Sequence, residues 1–269
     1  MTSPRPRAVP EGLTRGSAFS LLTLPGFAPA HAHGFVLKGT DGAVLFRPQP
    51  VPREAIVAAI GLPGASLHLA RQVHGAEVVE APGPPRATPE ADPAEADALV
   101  ARAPGHAVGV ATADCLPILL ASEDGACAAV HAGWRGLLAG VIEAALARLD
   151  GPAIEAAIGP AIGPCCFEVG SDVARAFEKR FAGAPGLARE AGNGKSFVDL
   201  PAAAVAVLNA RGVDTKRIRR AALCTRCGPA ELLESYRRDG KGAGRMIAVI
   251  GPADAMALAN PRERSSGAL

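Results

Sequence analysis

Three side chains with metal-binding chemistry stand at the ends of apolar runs. They are His74 in "LARQVHGAEVVE", Cys115 in "GVATADCLPILL" and His131 in "AAVHAGWRG". Two imidazoles and one thiolate suit zinc and leave its fourth position open, the arrangement of catalytic rather than structural zinc. Copper also accepts two His and a Cys. The same residues allow a metal-free chemistry, with Cys115 as nucleophile and His131 as its base. Taken singly, each has a plainer reading: a His held in a turn before Gly75, a packed thiol, a strand-end His. The constellation carries the argument.

Anion chemistry clusters around them. "HAGWRG" reads as strand, tight glycine turn and helix, which places Arg135 in a first helical turn where free amides already favour anions. Trp134, the one Trp in the chain, is read as a buttress for that turn. "ESYRRDGKGAGRM" holds Tyr236, the one Tyr, with Arg237, Arg238, Lys241 and Arg245 in a Gly-rich loop. That loop suits an anion and a ring, with guanidinium for phosphate and phenol for stacking or a hydrogen bond. Its glycines do not form the G-x-G-x-x-G of a dinucleotide-binding turn. Arg135, with Arg71 or the Arg237–Arg238 pair, is the expected phosphate grip. Asp114, beside Cys115, must be paired or wet. Asp114 and Glu168 are the candidate proton shuttles. Cys165, Cys166, Cys224 and Cys227 offer four more thiols, but neighbouring cysteines do not easily share one tetrahedral ion.

Strands and helices must alternate to position these groups. The runs 96–101, 106–113, 116–122 and 125–132 are short, apolar and separated by turn residues, as strands are. After residue 132 the period becomes helical, with Leu137, Val141, Ala145 and Leu149 on one face. Further helices are expected after Ser171 and after Asp199, the latter with Pro201 in its first turn and Gly212 as its stop. The segment 244–251 is a last buried strand. The pattern is α/β (α+β) with mixed sheets in a single domain. Residues 31–252 form that domain, 1–30 a loose N-terminal tail and 253–269 a C-terminal tail. Residues 81–94, with five Pro, read as an exposed loop.

Composition excludes several classes. A net charge of +2 with interspersed signs gives no nucleic-acid stripe or polybasic membrane patch, and no apolar run reaches the length of a membrane span. The N-terminal apolar stretch is broken by Ser20, Thr23, Pro25 and Gly26, so a cytoplasmic protein with reduced thiols is expected rather than an exported one. A monomer is the favoured state.

The ordered set "RQVHGAEV", "ADALVA", "TADCLPILL", "VHAGWRGL", "AIGPAIGPCCFEVG", "LCTRC" and "SYRRDGKGAGRM" resembles the YfiH, or multicopper polyphenol oxidase (laccase-domain), family over about residues 33–250. The resemblance implies a four-layer α/β/β/α fold, distantly similar to Cys/His hydrolases of bacterial toxins. It implies a zinc site, copper being possible, on His74, Cys115 and His131. It also implies phosphorolysis of adenosine, inosine, guanosine and S-methyl-5'-thioadenosine, with adenosine deamination. The partners would then be a small nucleoside and phosphate. Older descriptions of the family as copper laccases, and of some bacterial members as peptidoglycan editing factors, give the rival activities. Six His in all are too few for a four-copper set. The H-x-E and P-C-x-x-C of the usual zinc deaminases are missing, so any deamination uses another arrangement. Two stretches depart from the family's usual form: "HGFVLKGTDGAV" lacks a glycine turn with its Arg, and "PAELLESYRRDG" lacks aromatics before Tyr236.

Overall fold

The apolar runs between residues 96 and 132 are continuous because their strands are covered on both faces, which removes the polar alternation of a half-exposed sheet. The computed structural model describes residues 11–16, 18–39, 51–81, 94–184 and 186–253. Strands β1 (Leu13–Arg15), β2 (Phe19–Leu22) and β3 (His31–Gly39) begin a first sheet. Helix α1 (Arg53–Ala59) packs outside it, and β4 (Ser66–His68) returns to its far edge. The chain then crosses to a second sheet with β5 (Val78–Glu80) and β6 (Ala98–Ala101). It goes back for β7 (His106–Thr112) and crosses again for β8 (Leu116–Ala121) and β9 (Cys127–Ala132).

Helices α2 (Trp134–Ala139) and α3 (Val141–Leu149) follow, then β10 (Glu155–Ile158) in the second sheet. A small three-stranded sheet, β11 (Glu168–Gly170), β12 (Ala188–Gly192) and β13 (Lys195–Val198), surrounds α4 (Ser171–Arg180) in sequence. Helix α5 (Leu200–Ala210) and β14 (Ile218–Arg220) precede a short α6 (Tyr236–Asp239), and β15 (Met246–Pro252) enters the middle of the first sheet. The large sheets have orders β1-β2-β3-β15-β7-β4 and β14-β10-β8-β9-β6-β5. Both are mixed: β4–β7, β5–β6 and β10–β14 run parallel, the other pairs antiparallel.

Side-chain parity divides the core into layers. Leu99, Val108, Leu119, Ala129 and Ile250 meet between the two sheets. Their neighbours Leu116, Ile118, Leu120, Val130 and Val100 face outward onto α2, α3, α4 and α5. Val36, Ile247 and Val249 face outward from the first sheet onto α1. The result is the expected α/β/β/α stack in one domain. No helix among the described residues is long and apolar enough to cross a membrane.

Several local expectations change. The single helix expected after residue 132 is two, because Gly140 takes a left-handed conformation (φ 89°) that ends α2 and turns the chain into α3. Gly170, not Ser171, precedes α4, and no side chain caps it. Asp199 does cap α5, accepting from the Ala202 amide at 2.9 Å, with a Pro in the first turn. The loose tail expected over residues 1–30 contains β1 and β2, which extend the first sheet. Leu22, Leu24 and Phe27 are buried between the sheets, so this part of the expected tail is core. Residues 1–10, 82–93 and 254–269, which hold the rest of that tail, most of the Pro-rich loop and nearly all of the C-terminal tail, lie outside the described residues.

Gly159 fills a gap between the sheets that nothing larger fits. A methyl there would overlap the Phe35 ring and approach Pro117 Cγ at 2.9 Å. Gly159→Ala is expected to cost about 1–3 kcal/mol by overpacking. Urea unfolding should show a lower midpoint with an unchanged slope; an unchanged midpoint would mean the sheets relax freely there.

Candidate metal centre and substrate cleft

Two of the three candidate metal ligands sit where the chain crosses between sheets. His74 lies between β4 and β5, and Cys115 lies between β7 and β8. His131 is near the end of β9, whose ladder with β8 pairs Leu116 with Ala132 and Pro117 with His131. Parity then decides direction. Leu116, Ile118 and Leu120 point outward, so Cys115 points inward; Ala128 and Val130 point outward, so His131 points inward. The three groups therefore meet at one rim of the space between the sheets.

There the donor atoms all lie within 4.8 Å of one another, with Cys115 Sγ 3.8 Å from His74 Nε2. The imidazole rings stand edge to face at a centroid distance of 4.8 Å. His131 is buried, Cys115 half-buried and His74 exposed, so the trio runs from core to solvent. Two nitrogens and a sulfur at this spacing could hold a metal ion.

Asp97, which heads "DALVA", holds the trio together. It is fully buried. Its carboxylate accepts three successive backbone amides of the His74 turn: Val73 at 3.2 Å, His74 at 2.9 Å and Gly75 at 2.7 Å. It also accepts His131 Nδ1 at 2.7 Å, which leaves Nε2 as the nitrogen for a metal. His74 sits at φ 63°, a conformation that costs energy for a residue with a Cβ and that these three bonds maintain. Gln72 ties the same turn to the first sheet, exchanging two 2.8 Å bonds with the Ala111 backbone.

The glycines around Trp134 make room. A Cβ on Gly133 would stand 3.1 Å from both Cys115 Sγ and His74 Cδ2, and one on Gly136 would stand 3.0 Å from Gly75 O. Trp134 itself packs half-buried against the helical layer. The turn thus lets the helix backbone press directly on the trio.

Charge is coupled across the trio. Burial pushes the Cys115 thiol up, but hydrogen bonds from His131 and His74 outweigh it and bring its pKa down to about 6. Burial pushes His131 down, but Asp97 and Cys115 raise it to about 9. Between those values the metal-free centre holds a thiolate beside an imidazolium. Asp97 is depressed despite its burial, because His131 and the turn amides bind its anion.

The trio opens on a cleft of about 710 Å³, a volume in the range of small-molecule sites. Phe167, Tyr236, Arg237, Lys241 and Arg245 also line it. Tyr236 is 53% exposed, and the Arg237 guanidinium lies 5.6 Å over the Phe167 ring.

Three expected phosphate ligands do not line this cleft. Arg71 is paired with Glu95. Arg135 is exposed and lies over the Trp134 ring at 4.3 Å. Arg238 is engaged by Asp239, Thr225 O and Leu233 O. Asp114 lines the cleft, but both its oxygens are occupied, by Thr225 Oγ1 at 2.5 Å and the Arg237 amide at 2.6 Å. These bonds anchor the Arg237 loop. Glu168 is bound to Lys195 at 2.7 Å and does not line the cleft.

Residues 51–253 match the family described as multi-copper polyphenol oxidoreductase laccase. The chain is 40% identical over 201 residues to the purine nucleoside phosphorylase YfiH of Escherichia coli, covering 74% of this chain and 78% of that one. It is 40% identical over 161 residues to adenosine deaminase RL5 from an unknown prokaryote, covering 57% of this chain and 61% of that one. The solved structure of YlmD from Geobacillus stearothermophilus superposes with a TM-score of 0.77 at 27% identity, covering 91% of this chain and all of that one.

Two outcomes are expected from the centre's electrostatics. Asp97→Asn should weaken zinc binding about 10- to 100-fold in competition with a chromophoric chelator; full affinity in a folded variant would remove Asp97 from this role. In chelator-treated protein, alkylation of Cys115 followed by peptide mapping should rise through a midpoint near pH 6, since the thiolate is the reacting form. A midpoint near 9 would mean the imidazoles do not stabilise the thiolate.

Proposed function

The chain belongs to the multi-copper polyphenol oxidoreductase laccase family, and we propose that it is a zinc-dependent purine nucleoside phosphorylase. On this reading it acts on adenosine, inosine, guanosine and S-methyl-5'-thioadenosine, with a secondary adenosine deaminase activity. The observation that carries the proposal is the pairing of two imidazole nitrogens and one thiolate with a cationic, aromatic cleft. The names of the E. coli and RL5 relatives support both activities.

Phosphorolysis moves a phosphate oxygen onto the sugar's anomeric carbon, while the base leaves with the bond's electron pair and takes up a proton. The chain must therefore hold an anion and a flat base together. Arg237, Lys241 and Arg245 supply positive charge for the phosphate. Phe167 and Tyr236 supply ring faces for the base. Asp114 fixes the Arg237 backbone, so the guanidinium starts from a rigid point. Asp97 locks the His131 tautomer and the His74 turn. His74, Cys115 and His131 would hold a zinc ion, which would supply Lewis acidity.

A metal-free Cys/His hydrolase is the second reading, favoured by the low Cys115 pKa beside a raised His131. A multicopper oxidase has less support: among the described residues, the other group able to hold a metal is made of thiols alone.

Purified protein given adenosine should release adenine and ribose 1-phosphate only with phosphate, and should lose this activity on chelation or in Cys115→Ser. Arg237→Ala and Lys241→Ala should each raise KM for phosphate about tenfold, on the order of 1.4 kcal/mol, with kcat changed less. Full activity after chelation would favour the hydrolase. Adenine release independent of phosphate would end the phosphorylase reading.

A further inference from the structure

Four cysteines stand together outside the cleft's metal centre. The sulfurs of Cys165, Cys166, Cys224 and Cys227 all lie within 4.8 Å of one another, with Cys165 and Cys227 at 3.5 Å. They come from two loops. In the first, the amides of Cys166 and Phe167 both bond to Gly163 O at 2.9 Å, making one helical turn. In the second, the Cys224-x-x-Cys227 turn is closed by Gly228 N on Cys224 O at 2.7 Å. The loops are joined by a bridge between Ala161 and Cys224 and by Thr225 N on Ala161 O at 3.0 Å.

This spacing matches a single ion. Zinc–sulfur arms of about 2.3 Å at tetrahedral angles place the sulfurs about 3.8 Å apart. The observed set closes on that with shifts of about an ångström or less. Cys165 is exposed and Cys166 buried, yet both sulfurs lie within 4.8 Å of the other two, contrary to the sequence expectation for neighbouring cysteines. The Gly163 amide donates to Cys224 Sγ at 3.3 Å. Arg226 lies within the second loop, and Arg237 of α6 bonds to Glu168 O at 3.0 Å just beyond the first.

We propose that Cys165, Cys166, Cys224 and Cys227 form a closed tetrathiolate site for a second, structural zinc ion. Four protein ligands leave no open corner, so this ion takes no part in chemistry. Its role is to clip the two loops. Ile162 and Phe167, on the first loop, line the cleft. Thr225, on the second, holds Asp114. The clip thereby fixes one wall of the cleft. The inference stands apart from the proposed reaction, because it concerns metal content and not turnover.

Full-length protein purified without chelator should carry two zinc ions per chain by elemental mass spectrometry. Cys224→Ser/Cys227→Ser should retain one, and His74→Ala should keep the thiolate-bound ion while losing or weakly holding the other. Cobalt-substituted protein should lose most of its sulfur-to-cobalt absorption in the double cysteine variant but not in His74→Ala. If that variant does not fold, X-ray absorption of the unmodified zinc protein still decides, since two occupied sites average more than two sulfurs per zinc. One zinc per chain with about one sulfur ligand would overturn the proposal. So would a Cys165–Cys227 disulfide in protein purified without oxygen.

Discussion

A single buried carboxylate organises the rim of this fold. Asp97 is closed off from bulk solvent, and three turn amides and one imidazole surround its charge instead. Those four bonds are also what place His74 and orient His131. The cost of burying the charge and the construction of the metal centre are thus one problem with one solution. Removing the carboxylate would release the strained turn at His74, free the His131 ring to choose its tautomer and leave backbone amides without partners.

The sandwich explains why this happens at a rim. Two sheets packed face to face leave a seam at each end, and the chain crosses that seam before β5 and again before β8. Crossover residues cannot pair in either ladder, so their backbones adopt unusual conformations: His74 at φ 63° and Asp114 at φ 94°. Side chains on such turns project into the seam instead of onto a face. The cleft is this seam held open, with the trio at its floor and the loop before β15 bringing Lys241 and Arg245 to its lining.

Much of this was legible in the sequence, for identifiable reasons. The metal trio stood out because His and Cys at strand ends are chemically conspicuous, and the β8–β9 pairing that joins Cys115 to His131 follows from two adjacent apolar runs. Asp97 was overlooked although its signal was present: a carboxylate heading the apolar run "DALVA" must find partners. The arginines were the weakest reading. Arg71, Arg135 and Arg238 look like Arg237 in sequence, yet of these four Arg237 alone lines the cleft. Which guanidinium faces the cleft is set by where the fold places each backbone, and no local pattern encodes that. The strands β1 and β2 were missed because short apolar stretches broken by Pro and Gly resemble a tail until a partner strand is in place.

The position of β15 has a consequence for how the chain is made. It lies between β3 and β7 in the first sheet, pairing with both. Every strand of the second sheet, and all three metal-binding residues, precede it. During synthesis the second sheet and its helices can therefore assemble while the first waits as two separated halves, each with a bare hydrogen-bonding edge. A ribosome that stalls before residue 246 would leave a chain prone to clump, its missing central rung inviting a rung from another molecule.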